Sequence, residues 1–284
     1  MVTSQYILTH ETTIRMSFFF GLLLLMGVWE WFAPKRPSTQ SKPVRWFNNL
    51  SLVFLNSFVV RVLFPGAAVA MAVFAEKQGW GILHYYDLAP VLAIVIAIVL
   101  MDLTIYLQHV MAHAVPLLWR LHQVHHVDLD YDVTTGSRFH PLEIVFSMLV
   151  KFAIIVVLGV PVVAVVIFEV ILNGMAMFNH GNVGLPKRLD SFIRLFVVTP
   201  DMHRVHHSVE DDETNSNFGF NLSCWDRLCG TYQAQPRAGH GEMVIGLRGC
   251  RNPKQAVSIW GMLLLPWTGK ISGYAINRRH WQGK

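Results

Sequence analysis

Residues 102–126 read DLTIYLQHVMAHAVPLLWRLHQVHH, and residues 203–207 repeat the end of that stretch as HRVHH. Spacings of three and four residues place side chains on one face of a helix, about 5–6 Å apart. Imidazole is a ligand that suits iron, zinc, copper and nickel. The pattern therefore predicts helices whose histidines converge on a metal site. The predicted ligands in these boxes are His109, His113, His122, His125, His126, His203, His206 and His207.

Eight imidazoles exceed what one metal accepts, because zinc sites use four ligands and octahedral sites six. Two metal ions are therefore predicted. His180, in FNHGN, is the best ninth ligand because it follows the last apolar run on the side of the membrane where the boxes lie. His140 precedes a proline and is expected to support the ligands or the fold. The isolated histidines are expected to be solvated: His10, His84, His240 and His280.

Carboxylates near the boxes are candidates to hold the imidazole rings, since a metal-bound histidine usually donates its second N–H to a carboxylate or carbonyl. For each of them an ordinary exposed role is an equal alternative. The chain has no Glu-x-x-His pair and no H-E-x-x-H motif, which excludes carboxylate-bridged bundles and zincins. The candidates are Asp102, Asp128, Asp130, Glu143, Asp201, Glu210 and Asp226.

The composition is that of a membrane protein. Hydrophobic residues make up 53% of the 284 residues and charged residues 14%, against about 25% in soluble domains. The net charge of +5 and the lack of a basic run give no indication of nucleic-acid binding. Three cysteines without C-x-x-C spacing argue against a disulfide framework or a zinc ribbon and favour reduced thiols.

Apolar segments predict an all-α integral membrane protein with four to five membrane-embedded helices and a helical cap that carries the boxes. The second segment holds Arg61 and Pro65–Gly66, so it is either one kinked span or a span preceded by an interfacial piece. The last two runs, split by Gly159–Pro161, form a predicted hairpin. A shorter run at 258–267 predicts an interfacial helix. The predicted membrane segments are 17–33, 50–75, 88–107 and the hairpin within 141–178.

Basic residues orient the predicted spans. Lys35, Arg36, Lys42 and Arg45 lie in the loop 34–49, which contains no acidic residue and is therefore expected on the cytoplasmic side. The amino terminus and residues 76–90 are then outside, and every box is cytoplasmic. The predicted domains are anchor helices over 1–87, a catalytic domain over 88–235 and a cytoplasmic tail with the interfacial helix over 236–284.

Five motifs in this order resemble the fatty acid hydroxylase/sterol desaturase superfamily. They are D-x-x-x-Y-x-x-H-x-x-x-H from Asp102, LWRLHQVHH, SRFHPLE, TPDMHRVHHS and NFGFNLSCWDRLCGTY. The resemblance covers about residues 88–235. Val110 and Cys229 replace an arginine and a phenylalanine that many members carry, and Ala176 stands where longer members have a further histidine. None of these departures removes a predicted ligand.

The resemblance implies a membrane-bound non-haem di-iron enzyme that uses dioxygen to hydroxylate a C–H bond of a lipid, such as a sterol or fatty acyl chain. Desaturation by the same centre is the alternative. Zinc is an expected substitute for iron in purified protein. Electrons would come from a separate cytochrome b5, ferredoxin or rubredoxin type of donor. Location in a bacterial inner membrane or in the endoplasmic reticulum fits equally.

Two further hypotheses about the function remain open. A metal-binding or transport protein would place its ligands inside the spans, whereas these boxes lie just outside them. A family member without catalysis would serve as an interaction protein. The basic residues Lys187, Arg188, Arg194 and Arg204 are expected to form either a dock for an acidic electron carrier or a positive rim that faces lipid headgroups.

Overall fold

The computed structural model describes residues 6–7, 9–86 and 88–268. Every regular element in these residues is helical, which confirms the predicted fold class. The part of the predicted tail beyond residue 268, including His280, lies outside the described residues. The longer helices are α1 Glu11–Phe32, α2 Lys42–Leu63, α3 Ala67–Gln78, α5 Pro90–Ala114, α6 Pro116–His126, α7 Pro141–Leu158 and α8 Val162–Asn179, with the single turn α4 Ile82–Tyr85 before α5.

Five segments of the described chain are long and apolar enough to cross a membrane. They are α1, the combined segment Lys42–Tyr85, α5, α7 and α8. The combined segment breaks at Gly66, which has φ +78 in the left-handed region that glycine adopts without strain. The break therefore lies at the Pro65–Gly66 position that the sequence indicates, and it is compatible with the kinked-span alternative. The side of the membrane on which the cap lies stays a prediction.

Helices α7 and α8 form the predicted hairpin. The turn begins at Gly159, with φ +68. Lys151, an unexpected charge within an apolar run, contacts Glu169 at 2.9 Å, and Arg15 of α1 contacts the same carboxylate at 3.2 Å. A charge in a membrane helix is costly unless it is paired and faces other helices, so this triad explains why the first arm tolerates a lysine.

The loop predicted over 34–49 is shorter than expected, because α2 already begins at Lys42. Arg45 is fully buried and contacts Asp128 and Asp132, which corrects its assignment to a basic surface loop. Arg138 contacts the same Asp128 oxygen, Oδ2, at 3.1 Å. Breaking a buried pair costs about 3–5 kcal/mol, so these contacts hold the connection between α6 and α7 in place.

The cap contains short helices linked by loops. The end of α1 anchors it, because Glu30 Oε1 accepts hydrogen bonds from the backbone N–H groups of Val133 and Asn182. The predicted interfacial helix is α15, in which Trp260 and Trp267 are exposed. The short helices are α9 Lys187–Ile193, α10 Pro200–His206, α11 Asp211–Thr214, α12 Cys224–Leu228, α13 Gly239–Glu242, α14 Pro253–Ala256 and α15 Ile259–Thr268.

Candidate metal centre

The structure brings all nine predicted histidine ligands together in two adjacent groups. Within each group, one ring nitrogen per residue lies within 4.8 Å of the others. Nitrogens bound to one metal at about 2.0–2.1 Å are about 3–4 Å apart, so this spacing is compatible with one ion in each group. The five-histidine group is His109, His113, His122, His126 and His206, and the four-histidine group is His125, His180, His203 and His207.

Each H-x-x-H-H box supplies histidines to both groups. In α6, His122 and His126 are four residues apart on one face and join the five-histidine group, while His125 faces the other group. The box on α10 divides in the opposite way, because His206 joins the five-histidine group while its neighbours His203 and His207 join the other. The two groups therefore share their supporting helices.

Five of the nine rings are oriented by an oxygen atom that accepts a hydrogen bond from Nδ1. Because a neutral imidazole carries one N–H, a ring that donates through Nδ1 keeps its lone pair on Nε2. A metal ligand needs this arrangement. The five contacts join His109 to Phe218 O at 2.8 Å, His113 to Asn215 Oδ1 at 3.2 Å, His122 to Glu143 Oε1 at 2.6 Å, His180 to Ala176 O at 2.8 Å and His206 to Ser216 O at 2.8 Å.

Within each group, Nε2 atoms of different rings face one another. His206 Nε2 lies 3.0 Å from His109 Nε2, and His180 Nε2 lies 3.1 Å from both His125 Nε2 and His203 Nε2. Where Nδ1 already carries the proton, as in the first pair, two lone pairs face each other without a hydrogen between them. A buried polar atom without a partner costs free energy. A cation at each centre would satisfy these atoms, so the residues fit a metal.

Burial favours the neutral form of six of the rings, those of His125, His126, His180, His203, His206 and His207. None of the nine is more than 6% exposed. Burial lowers the pKa of His206 to about 3, with further lowering from His122, and burial likewise lowers the pKa of His180 to about 3. The pKa values of His125 and His207 also fall well below the ordinary value, for the same reason and through repulsion by neighbouring imidazoles. Neutral imidazole is the form that binds metals.

Aromatic rings enclose the two groups. Phe139 stacks on His125, with ring centroids 4.5 Å apart and an interplanar angle of 9°. Trp119 lies 4.7 Å from the His113 ring, and Phe218 lies 5.1 Å from it. This apolar lining excludes water from the ligands.

A sequence model of the fatty acid hydroxylase family matches residues 94–231, the region that holds all nine histidines. The histidine region of this chain belongs to the fatty acid hydroxylase family. This confirms the resemblance seen in the motifs.

Proteins similar to this chain include enzymes that act on lipids. The chain is 27% identical over 258 residues to the ornithine lipid hydroxylase OlsE of Rhizobium tropici. This alignment covers 89% of the chain and 75% of that protein. Alkylglycerol monooxygenase of Homo sapiens is 28% identical over 139 residues, or 47% of this chain and 29% of its own length. Alkylglycerol monooxygenase of Danio rerio is 29% identical over 165 residues, which is 58% of this chain and 34% of that protein. No solved structure matches the chain.

Among the predicted supporting carboxylates, Glu143 contacts a ring of the histidine groups directly, that of His122. Asp226 acts one step away, because it accepts from the N–H groups of Phe218 and Gly219 and so holds the carbonyl that His109 contacts.

Asp102 and Asp201 do not touch the ligand rings in the described structure, although both lie near a box in sequence. Asp102 accepts from Asn221, Leu222 and Trp225. The side chain of Asp201 instead contacts those of Lys35, Arg204 and His240. Proximity in sequence to a box therefore did not predict which carboxylate contacts a histidine ring, because the packing of distant segments decides which side chains meet.

The structure places two of the other histidines away from solvent. His140 caps α7, where its Nδ1 accepts from Leu142 N, and its ring contacts Trp267, so it supports the fold. His240 was expected to be solvated, but its side chain is only 9% exposed, next to Asp201. The described His10 and His84 are exposed, as expected.

Two of the four basic residues that were predicted to form a dock for an electron carrier are buried. Arg194 is buried and contacts Asp190, and Arg204 is fully buried and contacts Asp201. Lys187 and Arg188 are exposed. The four basic residues therefore do not form one charged surface, because two of them are neutralised inside the cap.

Sequence reasoning missed several groups that hold the site. Asn215 and the carbonyls of Ala176 and Ser216 orient three ligand rings. Backbone carbonyls carry no residue signature, so no sequence pattern could have revealed them. Gly136 was also missed, although a Cβ there would stand 2.9 Å from His180 Nδ1.

Proposed function

We propose that this protein is a membrane-bound, dioxygen-dependent lipid hydroxylase that holds two iron ions, one in each histidine group. The observation that carries the proposal is the convergence of nine buried imidazoles into two groups, with facing Nε2 atoms and ordered Nδ1 acceptors. The all-nitrogen ligand set also suits zinc, copper and nickel. Iron is chosen because the relatives are named as hydroxylases and monooxygenases.

Bound iron would supply the redox chemistry that cleaves an unactivated C–H bond, which no amino-acid side chain achieves alone. The residues of this chain contribute the environment. Glu143 and the carbonyl of Phe218 fix the rings of His122 and His109. Phe139 and Trp119 shield the ligands from water. Electrons must reach the site from a separate donor of the cytochrome b5, ferredoxin or rubredoxin type.

The proposed substrate class is a membrane lipid with a polar headgroup. The alignment with the ornithine lipid hydroxylase covers 89% of this chain, whereas the human alkylglycerol monooxygenase aligns with 47%. Ornithine lipid is therefore the first substrate to test. The proposed location is an integral membrane position with the histidines on the cytoplasmic side, supported by the basic residues Lys35, Arg36 and Lys42 near the end of α1.

The test compares lipid extracts by mass spectrometry from aerobic cells that make ornithine lipid and express the chain or its His206→Ala variant. We expect a lipid that gains one oxygen atom with the intact chain and none with the variant, together with a lower iron content of the purified variant. A lipid that loses two hydrogens instead would establish the desaturase alternative.

His10→Ala is the matched control, because His10 is exposed and outside both groups. The control should keep both the product and the iron. If His206→Ala retained full activity and full iron content, the assignment of the centre would be wrong.

A further inference from the structure

The segment that follows α8 carries an apolar surface that the described residues of the cap leave exposed. Phe192 and Phe196 contact each other, with ring centroids 5.6 Å apart. Leu228 is exposed on α12, which is tied to this turn by the hydrogen bond from Ser223 N to Phe196 O. We call these residues the apolar shoulder; their exposed fractions are Leu189 45%, Phe192 61%, Leu195 56%, Phe196 59% and Leu228 75%.

Hydrogen bonds to Asp102 fix the height of this shoulder along the membrane helices. The carboxylate accepts from Asn221 Nδ2 at 2.7 Å, Leu222 N at 3.2 Å and Trp225 Nε1 at 2.8 Å. Asp102 lies in the middle of α5, twelve residues from either end, so the loop that leads into α12 packs against the centre of a candidate span. At 1.5 Å per residue this point is about 18 Å from either end of the helix.

A bilayer has a hydrocarbon core of about 30 Å, and α5 is about 37 Å long. Helices α7 and α8, about 27 Å long, connect the hairpin turn to the histidine groups, since His140 caps one and His180 ends the other. A hydrocarbon core that covers α7 and α8 therefore includes the level of Asp102 on α5. The backbone and side-chain donors at that level bond to Asp102 within the protein, as a lipid environment requires.

We propose that the apolar shoulder is inserted among the lipid chains of the leaflet on the histidine side, so that part of the cap lies inside the membrane. Lys187 and Arg188 begin α9, next to the shoulder, and are exposed where they can meet lipid phosphates. An exposed contiguous apolar patch marks an interaction surface, and here it adjoins the apolar surface of the spans. Lipid rather than water then borders the shoulder.

A protein partner fits this surface less well than lipid does. An acidic electron carrier would need a basic surface, but Arg194 and Arg204 are buried and paired with carboxylates. The depth set by Asp102 would also place such a partner against the side of a membrane helix. Insertion brings the cap to the level of the lipid chains, which gives a lipid a lateral approach towards the histidine groups.

The test measures depth directly and needs no enzymatic activity. Nitroxide labels are placed at Phe192→Cys and at Leu195→Cys in a protein that carries Cys229→Ser, because Cys229 is exposed. The protein is reconstituted in vesicles of phosphatidylcholine and phosphatidylglycerol. Relaxation of the label is compared between oxygen, which concentrates in lipid, and a water-soluble nickel chelate. Arg248→Cys, whose native side chain is 61% exposed on the cap, is the control position.

We expect both shoulder labels to be several-fold more accessible to oxygen than to the nickel chelate, and the control label to show the reverse. Nickel accessibility at the shoulder equal to that at Arg248→Cys would overturn the proposal. Low accessibility to both reagents would also overturn it, because it indicates a protein contact. Because two positions are labelled, the test still gives a result if one of the two variants fails to fold. Neither result depends on whether the protein is a hydroxylase.

Discussion

The glycine at position 136 allows a steric test of the four-histidine group. Gly136 lies in the 3₁₀ turn Thr135–Ser137 and is outside the left-handed region, so alanine can adopt its backbone conformation. An added Cβ would stand 2.9 Å from His180 Nδ1 and closer still to the Ala176 carbonyl oxygen, whereas ordinary contacts begin at 3.4 Å. His180 must therefore move by about half an ångström, while metal–ligand distances tolerate about 0.2 Å.

We expect Gly136→Ala to weaken metal binding by the four-histidine group roughly 10- to 100-fold, or about 1.4–2.7 kcal/mol, because it displaces both the His180 ring and the carbonyl that orients it. The assay is the metal content of purified protein, measured by inductively coupled plasma mass spectrometry after equilibration with graded chelator. The content should fall from two ions towards one at chelator concentrations that leave the parent protein full.

Gly241→Ala is the matched control, because a Cβ at that exposed position meets nothing within 4 Å. It should retain metal as the parent does. Equal retention by the two variants would refute the steric reasoning, and with it the role of His180 as a ligand held by Ala176.

Glu143→Gln should weaken metal retention by the five-histidine group roughly 10- to 100-fold, because the acceptor of His122 loses its charge; unchanged retention in a chelator titration would count against it. Arg45→Met should lower the free energy of unfolding by about 3–5 kcal/mol in detergent, as it removes a buried partner of Asp128, whereas Arg248→Ala, in an exposed pair, should change it by less than about 1 kcal/mol. Burial raises the pKa of Asp128, but the nearby guanidinium groups lower it further, to well below its ordinary value. The stability from this group is therefore full above about pH 4 and is lost as the pH falls through the folded-state pKa. Asp128→Asn should flatten that part of a plot of Tm against pH, and an unchanged slope would contradict the assignment.

The charge network around Arg45 shows what a local pattern cannot reveal. Sequence placed this arginine in a basic loop because its neighbours are basic and polar. The structure buries it against Asp128 and Asp132, which are 83 and 87 residues away along the chain. Such partners are set by how helices pack, and a window of neighbouring residues contains no trace of them.

The sequence by itself determined the helices, the apolar segments and the identity of the nine histidines, because helical periodicity and hydrophobicity are local properties. His180 could be named because it ends a predicted hairpin on the side of the boxes. Only the tertiary structure divided each H-x-x-H-H box between two groups and assigned Glu143 to His122 while Asp102 holds the loop before α12. These assignments depend on the distance between helices and the rotation of each helix about its axis, which long-range packing fixes.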